Sequence, residues 1–270
     1  VTASKAQIVV DLVLNTPDNA MDVIFLTECV PNAFETHVDR FRTHGYTVHY
    51  GQSNDGVCNA IIYRIFYKSK LIQLEEVEVS DTVYPFTDEF KEVPLHLSTK
   101  DGTLHLLSYH ANGKGVTVNH SLKDTSFYYW LNALPGCVIL GGDLNMDFKK
   151  VGSELSAAFE LGSPTATGFS CFKQRTPLQA QYDKAGVFDQ KYCDYIITRG
   201  CLRSGTQVVR TKEYQRDGKK ITTLERLDCA EAKTLSKDEL VVPNSRFPFE
   251  HYIVIDKVTL VFKGCEFFQN

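Results

Sequence analysis

The sequence predicts an α/β (α+β) fold in which two mainly antiparallel sheets pack together and are covered by helices. Short apolar runs of strand length recur along the whole chain, separated by turn signals. Amphipathic stretches with helical spacing are interspersed among them rather than gathered at one end. Helices mixed with many strands and hairpins are what two packed sheets with helical cover require. No internal repeat, low-complexity tract or Pro/Gly/Ser-rich linker divides the 270 residues, so one domain over residues 1–270 is expected.

Ser4-Lys5-Ala6-Gln7 has capping-box spacing, and Ile8, Val9, Leu12 and Val13 then form one apolar helical face. Residues 22–28 read as a short buried strand. Residues 33–44 read as a helix with Phe34, Val38 and Phe41 on one side and Gly45 as its stop. Strands are expected at 46–50, 57–67, 71–79, 90–97 and 103–110, with Lys100-Asp101-Gly102 turning the last two into a hairpin. A helix at 121–134, a buried strand at 137–141 and a helix at 153–161 follow. Residues 163–190 look irregular, and a segment that long inside a domain is often functional. Strands return at 192–198, in a hairpin turning on Asp217-Gly218, and at 252–262.

Apolar residues make up 43% and charged residues 23%, the balance of a soluble globular chain. No apolar run approaches the roughly 20 residues of a membrane span. The opening VTASKAQIVV has no basic stretch followed by an apolar one, so no signal peptide is expected there. It also lacks an initiator Met, as a processed or partial chain would. Eight cysteines occur without a C-x-x-C pair, several inside apolar runs. Free thiols and a reducing compartment, cytoplasmic or nuclear, are therefore expected. Net charge is −4, but residues 199–226 carry eight basic side chains against three acidic ones. That segment is +5 and the remainder −9, an asymmetry able to guide a phosphate-bearing substrate to one edge.

Five strand ends carry the chemistry. In Val138-Ile139-Leu140-Gly141-Gly142-Asp143-Leu144-Asn145, an apolar strand runs into two glycines and presents Asp143 and Asn145 on one face. A carboxylate beside an amide can hold a hard cation's water, accept a proton or grip a phosphate oxygen; a turn or helix cap is the plainer alternative. Phe25-Leu26-Thr27-Glu28-Cys29 ends an apolar strand on a carboxylate, which needs a cation or water because unpaired burial is costly. Leu106-Leu107-Ser108-Tyr109-His110-Ala111-Asn112-Gly113-Lys114-Gly115 delivers His110 and Asn112 to a glycine-containing loop, where Lys114 and backbone amides can meet a phosphate. Lys191-Tyr192-Cys193-Asp194-Tyr195-Ile196-Ile197 carries one Asp early in a strand, and Phe249-Glu250-His251 leads a carboxylate–His pair into the last one. A thiol nucleophile at Cys29 or Cys193 is disfavoured, since both read as buried.

In the order Glu, His, Asp-x-Asn, Asp-Tyr, carboxylate-His, these strand ends resemble the endonuclease/exonuclease/phosphatase superfamily of DNase I-like metal-dependent phosphoesterases. Its members show Gln-Glu at the second strand, a His or Tyr strand, G-D-[FL]-N, D-Y-[IVF] and S-D-H in that order. The resemblance spans residues 4–262, with G-D-L-N its sharpest motif. It implies a four-layer sandwich that hydrolyses a phosphoester with Mg²⁺ or Mn²⁺. On that resemblance Glu28, with Glu250 where the family carries Asp, would bind the metal. Asp143 and Asn145 would orient the attacking water and contact the phosphate. His110 and Asn112 would grip the phosphate, His251 would stabilise its developing charge, and Asp194 would fix the His251 ring.

Three departures accompany the resemblance. Family members begin with a strand carrying a phosphate- and metal-contacting Asn, whereas this chain opens at the helix that follows it, so that strand is expected to be missing. Thr27 replaces the usual Gln, and F-E-H replaces S-D-H. The basic segment makes nucleic acid the expected substrate, with Lys114, Arg210 and Lys212 as further phosphate contacts. A phosphoinositide or other small phosphoester, and a non-catalytic binding protein that retains the fold, are the alternatives.

Overall fold

The computed structural model describes residues 3–14, 21–51, 56–64, 66–67, 70–71, 75–76, 91–99, 102–111, 122–124, 126–146, 148–162, 171–174, 188–191, 193–216, 219–226 and 253–260. In chain order the elements are α1 (Ala3–Leu14), β1 (Val23–Cys29), α2 (Glu35–Thr43), β2 (Thr47–Tyr50), β3 (Cys58–Tyr63), β4 (Phe66–Tyr67), β5 (Lys70–Leu71), β6 (Glu75–Glu76), β7 (Lys91–Thr99) and β8 (Gly102–His110). Then come α3 (Ser126–Ala133), β9 (Cys137–Asp143), α4 (Phe148–Glu154), β10 (Glu160–Leu161), β11 (Cys171–Gln174), β12 (Phe188–Lys191), β13 (Asp194–Arg199), β14 (Cys201–Arg216), β15 (Lys219–Arg226) and β16 (Ile253–Leu260).

The period-two alternation of the strands sorts their side chains into three cores and so builds four layers. Ile24 and Leu26 of β1 and Ala60 and Ile62 of β3 face outward, where Val10 and Val13 of α1 and Phe41 of α2 cover them. Their neighbours Val23, Phe25, Ile61 and Tyr63 face inward and meet Leu104 and Leu106 of β8 and Ile139 of β9. On the far side, Leu107, Tyr109, Val138, Leu140, Tyr195 and Ile197 pack under Phe127, Trp130 and Leu131 of α3. The sequence of layers is helix, sheet, sheet, helix.

One sheet has the order β1-β3-β2 and the larger one β10-β13-β9-β8-β7-β6. Among the described residues only β8 and β9 run parallel in them; the other pairings are antiparallel, as predicted. A third sheet, β15-β14-β16, joins the inter-sheet core through Cys201, Val258 and Leu260. Among the described residues β1 is hydrogen-bonded to β3 alone and β16 to β14 alone.

Several boundaries differ from the sequence reading. The helix expected at 33–44 is a 3₁₀ turn at Pro31–Ala33 followed by α2, because Pro31 suits the first helical turn and Phe34 is drawn into the core. The helix expected at 121–134 is likewise a 3₁₀ turn at Leu122–Asp124 and then α3. The helix expected at 153–161 instead occupies Phe148–Glu154, and Glu160 and Leu161 pair with Thr198 and Ile197 as an edge strand. Leu155 and Phe159 stand four apart, as on one helical face, yet Phe159 reaches the α3-side core from an irregular turn. The strand expected at 57–67 ends at Tyr63, with β4 a separate two-residue strand, and 71–79 lies mostly outside the described residues. Within 163–190, expected to be irregular, β11 pairs with β12, which continues to Lys191.

Candidate active site

Four strands end together at one edge of the sandwich. His110 ends β8 and is paired in register with Asp143, which ends β9. Asp143 in turn lies opposite Asp194, the first residue of β13. The ladder continues a step past each strand end: Ala111 N–H donates to Asp143 O (2.8 Å) and Leu144 N–H to Cys193 O (2.9 Å). Polar side chains at the strand ends are thus fixed by backbone pairing.

The glycines that precede Asp143 make the approach possible. A Cβ at Gly142, where φ is 151°, would collide with the Tyr109 carbonyl, and one at Gly141 would collide with the Phe25 ring. β9 therefore lies tight against β8 beside it and β1 above it.

Glu28 arrives from the other sheet. The β1–β3 register breaks between Leu26 and Cys29, and Glu28 itself has φ 52°, a left-handed conformation uncommon for a glutamate. The break turns its carboxylate out of the strand, leaving the side chain 66% exposed. Asn59 of β3, itself buried, accepts the Glu28 N–H at Oδ1 (3.3 Å) and donates from Nδ2 to Ser108 O (3.4 Å). Ser108 Oγ donates to Leu26 O (3.2 Å), so two polar contacts stitch the sheets together beside Glu28. The sequence reading missed Asn59; a lone amide inside the apolar run Cys58–Tyr63 was the signal for it.

His110 sits between two carboxylates. Its Nδ1 is 3.9 Å from Glu28 Oε1 and its Nε2 is 3.8 Å from Asp143 Oδ2. Asp143 is buried and accepts the Asn145 N–H at Oδ1 (2.7 Å). Asn145 also has a left-handed backbone, φ 51°, and its Nδ2 donates to Ala111 O (2.7 Å) while lying 3.5 Å from His110 Nε2. Tyr195 OH donates to Met146 O (2.7 Å) and pins the loop that follows. Two non-glycine residues with positive φ, both at one site, are strain of the kind that gathers where function holds it.

Carboxylates are concentrated here. Ligand atoms of Asp143, Cys193 and Asp194 lie within 4.8 Å of one another, and Cys193 Sγ–H donates to Asp194 Oδ2 (3.5 Å). A hard divalent cation takes oxygen ligands, so the carboxylates of Asp143, Asp194 and Glu28 suit it and the Cys193 thiol does not. The Cys29 thiol is buried, and its hydrogen bond to Cys58 together with burial pushes it far above the usual thiol range. It is a poor nucleophile.

The structure thus brings together Glu28, His110, Asp143, Asn145 and Asp194. Asn112, Lys114, Glu250 and His251 lie outside the described residues. Arg210 and Lys212 lie on β14, in the part paired with β15.

Two sheets packed face to face under helices on both sides, with polar strand ends collected at one edge, form the DNase I-like fold. Among solved structures the chain is similar to truncated Caenorhabditis elegans TDP2, at 15% identity over 96% of this chain and 91% of that one, with a TM-score of 0.53. It is also similar to D. rerio TDP2 complexed with single strand DNA product, at 16% identity over 81% and 87% and a TM-score of 0.52. An endonuclease/exonuclease/phosphatase family protein from Leptotrichia buccalis matches at 14% identity over 83% and 93%, with a TM-score of 0.50. No family model and no curated protein matches the sequence itself. At these identities the likeness establishes the fold.

Proposed function

We propose that this chain is a divalent-cation-dependent phosphoester hydrolase, a phosphodiesterase or nuclease that acts on nucleic acid with Mg²⁺ or Mn²⁺. The observation that carries this reading is the meeting of Glu28, His110, Asp143, Asn145 and Asp194 at the ends of strands from both sheets. Glu28 would hold the cation, joined by Glu250 from the segment before β16. The bound cation would neutralise charge on the scissile phosphate. Asp143 has one oxygen engaged by Asn145 and the other turned toward His110, which suits it to orient a water and take its proton. Asn145, anchored at Ala111, sets the position of the phosphate beside it, and His110 donates to a phosphate oxygen. Asp194 stands next to Asp143 and would hold the ring of His251, whose role would be to meet charge developing on phosphorus. Asn112, Lys114, Arg210 and Lys212 supply further phosphate contacts.

Nucleic acid is favoured by the +5 segment in a chain of net charge −4, and by a similar fold that holds a single strand DNA product. No helix among the described residues is long and apolar enough to cross a membrane. A reducing compartment fits Cys29 and Cys58, opposed thiols on β1 and β3 that share a hydrogen bond.

The test is cleavage of a generic phosphodiester and of an end-labelled oligonucleotide in Mg²⁺, in Mn²⁺ and in EDTA. Turnover with either cation, lost in EDTA and restored by excess cation, is expected. Hydrolysis insensitive to EDTA would contradict the mechanism. Oligonucleotide binding without hydrolysis under any cation would leave a binding protein on this fold.

A further inference from the structure

Strand β14 changes partners halfway along. From Cys201 to Val209 it pairs with β16, and from Val209 to Arg216 it pairs with β15. Its start lies at the end of the sandwich away from the candidate site, because Cys137, which opens β9, donates to Gly200 O at 2.9 Å. β14 then runs back along β16, whose Val258 and Leu260 share the inter-sheet core with Cys137 and whose Val254, opposite Val208, reaches the α3-side core, and Val209 ends this pairing. There it pairs with Ile253, two residues after His251 in the sequence. What continues from that point is a two-stranded ribbon of eight register pairs, Val209↔Arg226 to Arg216↔Lys219, whose return strand passes α1.

Register fixes which residues share a face of this ribbon, because directly opposed residues lie on the same side and faces alternate along each strand. One face holds Arg210, Lys212, Tyr214 and Arg216 with their partners Glu225, Thr223, Ile221 and Lys219: four cations and one carboxylate. The other face holds two cations, Lys220 and Arg226, and one carboxylate, Glu213. Glu225 stands opposite Arg210, so the excess charge of the first face falls around Tyr214. Lys212 lies two residues before it and Arg216 two residues after, with Lys219 opposite Arg216. Opposed like charges weaken a strand pair, and an anion between them removes the penalty. Positions i and i+2 are about 7 Å apart, close to the separation of neighbouring phosphates on one nucleic-acid strand.

From this placement we propose that the Lys212–Tyr214–Arg216–Lys219 face is a docking platform for single-stranded nucleic acid entering the site, with cations along the backbone and Tyr214 stacking a base. An aromatic set among backbone-tracking cations is the usual means of holding a single strand without reading its sequence. The proposal rests on the reading of this chain as a phosphoesterase acting on nucleic acid, and it names the form of that substrate.

The test is fluorescence anisotropy of a labelled 12-mer oligothymidylate and of a duplex of equal length, measured over a salt series in EDTA. Because binding is read without metal or turnover, it stands apart from wild-type cleavage of a generic phosphodiester, whose absence would sink the hydrolase reading alone. The triple variant Lys212→Gln/Arg216→Gln/Lys219→Gln is expected to lower the log–log salt slope for oligothymidylate by about 2, at three contacts of about 0.7 each. The other-face variant Lys220→Gln/Arg226→Gln is expected to lower it by less than half as much. Tyr214→Leu is expected to weaken oligothymidylate binding by about five- to a hundredfold, and duplex binding by less than twofold. Circular dichroism melts check that each variant is folded, and Tyr214→Phe, which keeps the ring, is expected to bind as wild type does. Equal per-charge effects from the two faces, an unchanged affinity in Tyr214→Leu, or losses confined to the duplex would overturn the proposal.

Discussion

Glu28 occupies a left-handed backbone conformation, which costs a side-chain-bearing residue about 1–3 kcal/mol unless its surroundings compensate. The compensation is visible in Asn59, whose amide accepts the Glu28 N–H and ties the same point to Ser108 on the opposite sheet. Asn59 is thus a positioning residue for a carboxylate that no regular strand would aim outward. Asn59→Leu leaves a backbone donor and a carbonyl without that partner, a cost of about 1–3 kcal/mol in urea unfolding. The same variant is expected to raise the Mg²⁺ concentration for half-maximal activity more than about tenfold, while a merely structural role would lower stability and leave the metal requirement unmoved. At this scale the sequence showed Glu28, His110, Asp143, Asn145 and Asp194, because each is a polar residue at the limit of an apolar run. It did not show the break in register at Glu28, which depends on what β3 places opposite.

The hairpin of β7 and β8 carries a buried device of its own. His96 and His105 are directly opposed, their rings meet edge to face with centroids 4.5 Å apart and their Nδ1 atoms adjoin, and Trp130 of α3 closes over His96. Burial lowers the pKa of His96, and burial followed by repulsion from His96 lowers that of His105 to about 4. Both rings are therefore neutral in the folded protein where an unfolded chain would begin to protonate them, below pH about 6.5. The stability they support is present above that pH and is lost as pH falls toward 4. Urea unfolding is expected to show a steeper loss of stability between pH 6.5 and 4.5 in the wild type than in His96→Leu/His105→Leu. Parallel curves for the two proteins would show that the pair has no part in acid sensitivity. Neither histidine stood out in the sequence, since alternation assigns each a face without revealing that the two faces coincide. The misplaced α4 has the same origin: the spacing of Leu155 and Phe159 suits a helix, but β13 pairs with Glu160 and Leu161.

At the scale of the molecule, apolar alternation made the two sheets and their helical cover legible, because each inward position needed an opposite layer to bury it. The neighbour relations were not legible. That β9 lies between the parallel β8 and the antiparallel β13 is a long-range fact, and it is this order that sets His110, Asp143 and Asp194 side by side. The charge asymmetry was legible as a sum over residues 199–226, whereas its concentration on one face of a ribbon needed the register. On the proposed reading, a basic ribbon and a separate cluster of carboxylates in a chain of net charge −4 would divide the tasks of attracting a polyanion and of cleaving it. That separation has meaning only if the carboxylate cluster is catalytic. The most direct measurement is therefore Mg²⁺-dependent turnover of a generic phosphodiester by the wild type and by Asp143→Ala, with metal saturating and folding checked by thermal melting. A loss of two or more orders of magnitude in kcat is expected, the range of an essential acid–base or charge-stabilising group at roughly 10²–10⁴-fold. A folded Asp143→Ala variant that turns over at the wild-type rate would contradict the placement of catalysis at this site.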